Sequence, residues 1–296
     1  GVTGSNYGTI ECCYYLIGGT TDENATAKTA AQFASGEVAY LLQGDQTEQV
    51  WGQNIDGEGE KDAYPVFSDA KVYRAKNCKG EISGYSNTDG KQLDHTYNDN
   101  GFCSLCGDYE PATGSGTSES PYQIGNAGQL YWFAAEVNGG DTDAWAELTD
   151  DIIVNIDVLA EDGTLNGDGS GFLPWEPIGN NSYKYTGTFD GNGYTISNLK
   201  IVETEAKEGK AYVGFFGYAK DVAIKNVTFD NVYINIACLD IDHSQGHIGA
   251  VVGSLEGTST IDSVTVKGDI KVEATFDANG ASRVAVVAGG NTYGDV

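Results

Sequence analysis

The chain has 296 residues, of which 43 are Asp or Glu and 16 are Lys or Arg, giving a net charge of −27. A field of that sign, with Arg74 and Arg283 as the only arginines, repels phosphate backbones and anionic lipid and excludes nucleic acid as a partner. No run of about 18 apolar residues occurs, so no membrane-spanning helix is expected, and 41 glycines against 5 prolines point to many tight turns between short strands.

In chain order, residues 1–18 (GVTGSNYGTIECCYYLIG) place Ile10, Cys13 and Tyr15 in an I-x-x-V-x-Φ spacing, where Φ is a large apolar residue. Strand neighbours face opposite sides, so Cys13 is expected inward and Cys12 outward. Residues 19–110 read as a mixed module. Its helix is expected within KTAAQFASGEVAYLLQG, 28–44, where Gly36 costs about 1 kcal/mol relative to Ala and should bend or divide it. PATGSGTSES, 111–120, has the composition of a flexible connector. A second helix is predicted over 126–138: Leu130, Phe133, Ala134 and Val137 form one apolar stripe, Asn126 suits the N-cap, and Gly139 suits the position past the end. Beyond residue 147 come short β runs punctuated by Asn, Gly and Asp, which suit a sandwich, a barrel or a solenoid.

Internal repetition decides between these. GFFGYAKDVAIKNVTF (214–229) aligns with AVVGSLEGTSTIDSVTV (250–266): Gly217 with Gly253, Ile224 with Ile261, Val227 with Val264, Phe229 with Val266. VVAGGNTYGDV (286–296) begins a third copy, with Gly289 at the Gly253 position. A coil of this kind cannot bury its apolar face alone and is covered by the next, so stacked parallel strands with inward Ile, Val and Phe are expected. The chain is thus expected to start at the last coil of one solenoid and end inside another, with the natural protein continuing.

HTYNDNGFCSLCG (95–107) joins Cys78 in the pattern C-x16-H-x7-C-x2-C. Cys78, His95, Cys103 and Cys106 supply four soft or borderline ligands, which suits a closed tetrahedral zinc site. The module is poor in periodic apolar sequence and needs a staple. A disulfide (Cys103–Cys106, or Cys78 with one of that pair) and a redox C-x-x-C are the other chemistries the spacing admits; no βαβ pattern supports the last. A catalytic zinc is not expected, because four protein ligands leave no open position. The Asp/Asn/Gly loops FDGNG (189–193) and DGTLNGDGSG (162–171) admit calcium, although turn chemistry alone accounts for them. Cys238 reads as a small core residue. His243 and His247, beside Asp240 and Asp242, read as a solvated loop rather than a metal pair. Trp175, Tyr183 and Tyr185 could stack on sugars but are expected in the core or cap. No catalytic residue is assigned.

GTFDGNGYTISNLKI (187–201), YVGFFGY (212–218) and VAIKNVTFDNVYI (222–234) resemble the GLUG-type repeats of large bacterial surface proteins. PYQIGNAGQLYWFAAEVN with LPWEPIGN resembles the capped entry to such regions. SGEVAYLLQG with VWGQNID resembles a segment that closes a preceding one, and NGFCSLCGDYEP a cysteine module of gut Firmicutes surface proteins. The resemblance implies a mainly β protein: a right-handed parallel β-helix with a helical cap over 121–296, preceded by the small α/β cysteine module. It implies an extracellular or cell-wall-anchored location. It transfers no catalytic residues. The expected role is display, adhesion, or binding of glycans or host surface proteins. The alternatives are a carbohydrate-active β-helix enzyme, a non-catalytic region of a surface peptidase, and a passive spacer.

Overall fold

A computed structural model describes residues 12–18, 25–203, 210–238, 245–276 and 281–291. Ile10, with the rest of residues 1–11, lies outside the described residues, as do Asp240, Asp242 and His243. The chain divides into two compact units, one of residues 1–96 with 104–107, the other of residues 97–103 with 108–296.

In the first unit, β1 (Tyr14–Leu16) runs parallel to β2 (Thr26–Lys28). The predicted helix is divided at the glycine. Thr29 and Gln32 form a reciprocal capping box on α1 (Ala30–Ala34), and Gly36, at φ 87°, turns the chain into α2 (Glu37–Gln43). Two antiparallel pairs follow, β3 (Trp51–Gly52) with β4 (Val66–Phe67), and β5 (Tyr73–Lys76) with β6 (Ile82–Ser86). Among its described residues the buried apolar side chains are few: Phe33, Val38, Ala39, Val72 and Ala75. Side-chain amides compensate by hydrogen bonding the backbone. Gln43 accepts from Val50 N and Trp51 N and donates to Glu48 O. Gln53, fully buried, donates to Phe33 O and Asp62 O. Asn87 donates to Gln53 O and Lys71 O.

The second unit is mainly β, and its strand pairs are parallel. β7 (Tyr122–Ile124) leads into α3 (Ala127–Gly139), whose N-cap is Asn126, its side chain accepting from Gln129 N at 2.9 Å. Then come β8 (Trp145–Leu148), β9 (Ile152–Ile153), β10 (Thr188–Asp190), β11 (Thr195–Glu203), β12 (Lys210–Val213), β13 (Phe216–Lys220), β14 (Ala223–Lys225), β15 (Thr228–Cys238), β16 (Gln245–Gly249), β17 (Val252–Glu256), β18 (Thr260–Asp262), β19 (Thr265–Phe276), β20 (Ala281–Ala285) and β21 (Ala288–Asn291). They form four ladders, ordered β7-β8-β10-β14-β18, β9-β11-β15-β19, β12-β16-β20 and β13-β17-β21.

Each ladder stacks equivalent positions of successive repeats. Phe189 lies opposite Ile224, and Ile224 opposite Ile261. Ile196, Phe229 and Val266 form a second row, and Ile201, Ile234 and Val272 a third. Phe216 pairs with Val252, and Val252 with Ala288, which brings Gly217, Gly253 and Gly289 together. Alternate residues of each strand thereby fill one continuous core. The buried side of α3 (Leu130, Phe133, Ala134 and Val137) packs onto that core, with the Phe133 ring 5.9 Å from Tyr185 and 6.1 Å from Phe189.

Sharp bends between strand segments use left-handed residues that also stack. Asn198 (φ 60°) and Asn231 (φ 54°) are neighbours in adjacent rungs, and Gly268 (φ 69°) stands at the next, where the register shifts by one residue. Asn tolerates this conformation because its short polar side chain bonds locally; Asn231 Oδ1 accepts from Asp269 N at 3.1 Å.

Residues 111–120, whose composition suggests a flexible connector, are tied into the second unit. Gln123 N donates to Thr113 O and Trp145 N to Gly116 O, so the glycines serve close packing rather than freedom. Gly114 has no room for a Cβ, which would come 2.2 Å from Pro121 O.

Candidate metal centre

Cys78 follows β5 and sits in a turn built by Asn77, a buried residue whose Oδ1 accepts from Lys79 N at 3.0 Å and Glu81 N at 2.9 Å. Backbone bonds Lys76 N to Lys91 O and Leu93 N to Lys76 O carry the approach to His95 along β5. Gln92 Nε2 donates to Cys78 O at 3.0 Å and holds that turn against the same segment. Sequence separation between Cys78 and His95 is thus closed by main-chain pairing.

The C-x-x-C knuckle has its own scaffold. Asn98 Oδ1 accepts from Asn100 N and Phe102 N, and Gly101 takes φ 78°. Cys103 N donates to Asp108 O at 2.7 Å, Ser104 N to Thr96 O at 2.9 Å, and Gly107 takes φ 71° just after Cys106. Both glycines occupy left-handed backbone that a side chain would strain.

One ligand atom from each of Cys78, His95, Cys103 and Cys106 lies within 4.8 Å of every other. Cys78 Sγ and Cys106 Sγ are 2.8 Å apart, and Cys106 Sγ is 3.6 Å from His95 Nδ1. Cys103 is buried, Cys78 and Cys106 are half-buried, and His95 is exposed. The four residues named by the spacing are therefore brought together, in an arrangement that can hold a metal ion. A tetrahedral ion with thiolate bonds of about 2.3 Å has sulfur–sulfur edges of about 3.8 Å, which falls between the shortest sulfur contact and the outer spread of the cluster. Three thiolates and an imidazole fill such a coordination sphere and leave no position for substrate.

The other sequence candidates fall elsewhere. Trp175 and Tyr185 are buried, Trp175 Nε1 donating to Phe215 O and Tyr185 OH to Ala144 O, whereas Tyr183 is exposed. His247 is not in a solvated loop. It lies buried on β16 opposite Tyr212, the two rings 5.4 Å apart, because its strand is a rung of the β12-β16-β20 ladder and its side chain falls on the covered face. Cys238 ends β15.

Asp162 and Asp168 each close a tight turn, accepting from the backbone and hydroxyl of Thr164 and Ser170; these bonds hold both carboxyls below their ordinary range. Asp190 accepts from Asn192 N at 2.9 Å and Asn226 Nδ2 at 3.0 Å and pairs with Lys225 at 3.0 Å. Burial would raise its carboxyl, but these partners together leave it lowered. Turn chemistry employs all three acids.

One feature without a local sequence signal is an open cleft of about 540 Å³ lined by Asp157, Glu161, Asn166, Asn231 and Asp269. Its acids come from segments over a hundred residues apart, joined by ladder stacking.

No family model and no solved structure matches the chain. It is 29% identical over 239 residues to halomucin of Haloquadratum walsbyi, an alignment covering 78% of this chain and 2% of that protein. It is also 29% identical over 157 residues to a protein of Evansella cellulosilytica named as a Gly-rich membrane protein, covering 53% of this chain and 15% of that one. The chain thus spans a small part of each of these relatives.

Proposed function

We propose that the chain is a non-catalytic region of a large modular bacterial surface protein, extracellular or wall-anchored. In this reading residues 121–296 are the capped start of a right-handed parallel β-helix of GLUG-type repeats. The preceding module is stapled by zinc at Cys78, His95, Cys103 and Cys106. The role is display, adhesion, or binding of glycans or host surface proteins.

The observation that carries this reading is the stacking of repeat-equivalent residues, Phe189, Ile224 and Ile261, in one parallel ladder. Such a stack grows by adding rungs and supplies long faces without a catalytic constellation. The great length of both relatives, and the name of the second, fit a modular surface setting. Zinc suits the donor set: soft thiolates select it, and the first unit's small apolar core gives a staple something to stabilise.

Two measurements test the reading. Metal analysis with thiol counting on the purified chain should give one zinc per chain with the cluster thiols reduced; no zinc and two fewer thiols would sink the staple. Screens on glycan and host-matrix arrays should return a ligand. Silence on every array would favour a passive spacer. The acid-lined cleft favours a second reading, a carbohydrate-active β-helix, since glycoside hydrolysis needs paired carboxylates. Polysaccharide cleavage abolished by Asp269→Asn would establish it.

A further inference from the structure

The metal cluster holds two sulfurs poised for a different bond. Cys78 Sγ and Cys106 Sγ stand 2.8 Å apart, a separation that a movement of under about 1 Å converts to the roughly 2.05 Å of a disulfide. Both residues belong to the first unit and both are half-buried, within reach of a small oxidant, whereas Cys103 is buried. Thiol–disulfide exchange depends on access to the attacking sulfur as much as on its thiolate character.

We infer that the cluster has two alternative closed states, one holding the metal through all four ligands and one, reached when the metal is withdrawn, closed by a Cys78–Cys106 disulfide. The inference rests on the metal reading above and adds a modification that the reading does not contain. The oxidant is a low-molecular-weight disulfide. The Cys106 thiolate attacks one of its sulfurs, forming a mixed disulfide and expelling the first small thiolate. The Cys78 thiolate then attacks Cys106 Sγ, forming the protein disulfide and expelling the second. The two cysteine protons pass to the two released thiols, so the protein loses two electrons and the small disulfide gains them. While the metal is bound, both sulfurs are engaged as ligands and the exchange is suppressed. The device suits an oxidising exterior, where a module short of core would otherwise lose this staple with its metal.

The test uses the full chain, zinc-loaded and chelator-treated, each incubated with oxidised glutathione, alkylated, digested and mapped by mass spectrometry. The metal-free chain should lose two titratable thiols and yield a peptide pair joined through Cys78 and Cys106; the zinc-loaded chain should close several-fold more slowly. Cys103→Ser, treated identically, should still close. Cys106→Ser should instead stop at a glutathione adduct on Cys78. A cross-link through Cys103 in the wild-type chain, or zinc uptake without any cross-link on removing the metal, would overturn the pairing. A Cys78–Cys106 bond in a chain that never takes up zinc would uphold the pairing but overturn the metal reading and, with it, the alternation between two states.

Discussion

Phe215→Ala should be the most damaging single truncation in the core that α3 shares with the ladders. The Phe215 ring is fully buried. It stacks parallel on Trp175 at 5.0 Å and 1°, meets Phe189 at 5.5 Å and Phe216 at 4.8 Å edge-on, and tilts against Phe229 at 4.9 Å. Removing a buried Phe side chain costs about 3–5 kcal/mol, through lost transfer energy and the cavity left behind. Each aromatic pair adds about 0.5–1.5 kcal/mol beyond area, although not additively within one cluster. The rigid rungs on either side leave little room to collapse, so the expected loss lies near the top of the range, about 4–5 kcal/mol. The Trp175 Nε1 bond goes to the Phe215 backbone oxygen at 3.0 Å and survives the truncation, so the loss reports packing. Urea unfolding followed by far-UV circular dichroism measures it, with the exposed Tyr183→Ala as a control expected within about 0.5 kcal/mol of the parent. A Phe215→Ala loss below about 2 kcal/mol would refute the closed aromatic core described for this region.

Glu256 accepts from Lys184 at 2.5 Å and Tyr218 at 2.9 Å, and these bonds hold its carboxyl down to about 2 from an ordinary 4.5. A depressed folded value means that the stabilisation is complete above about pH 4.5 and disappears as pH falls toward 2. Glu256→Gln should therefore flatten the acid limb of the stability curve in that window, with at most about 1 kcal/mol lost at neutral pH because the pair is partly solvated; superimposable acid limbs would contradict it. Gly268→Ala and Gly193→Ala share a left-handed backbone cost of about 1–2 kcal/mol, but an added Cβ meets Asn231 and Asp230 oxygens at 2.3 Å only at 268. Gly268→Ala should thus be the worse by about 1 kcal/mol or more in chemical denaturation, and equal losses would argue against the stacked bend. Asn126→Ala removes the α3 cap and Glu110's partner at 2.7 Å, and should cost about 1 kcal/mol that Asn126→Ser largely restores; an Asn126→Ser as unstable as the alanine variant would show that the cap is not the source.

Much of the second unit was legible because its order is local and repeated. The α3 stripe and its Asn126 cap follow from helical spacing, with only the C-terminal end moved by one residue, to Gly139, and Gly140 as its cap. The pairs Ile224 with Ile261 and Phe229 with Val266, read from aligned repeats, are register partners in the ladders. Gly36 divided its helix as its conformational cost required. His247 is buried where its sequence suggests a solvated loop, because its burial depends on which strand covers it, and a lone histidine among Asp and Gly carries no record of that. The composition of 111–120 does not tell a free connector from one whose backbone is bonded at Thr113 and Gly116, because the same small residues serve freedom and close approach alike. The acid cleft left no trace, since Asp157 and Asp269 become neighbours only through the stack.

By itself the sequence determined the repeat, the residues that face inward from it, the helix that precedes it and the four side chains of the candidate metal centre, since periodicity and residue chemistry are properties of the chain alone. Only the tertiary structure decided where the register shifts, at Gly268, that His247 is covered, that Cys78 and Cys106 lie in contact, and where one compact unit ends and the other begins. The physical reason is that main-chain pairing between distant segments sets these distances, and a backbone amide carries no side-chain signature of the carbonyl it will meet.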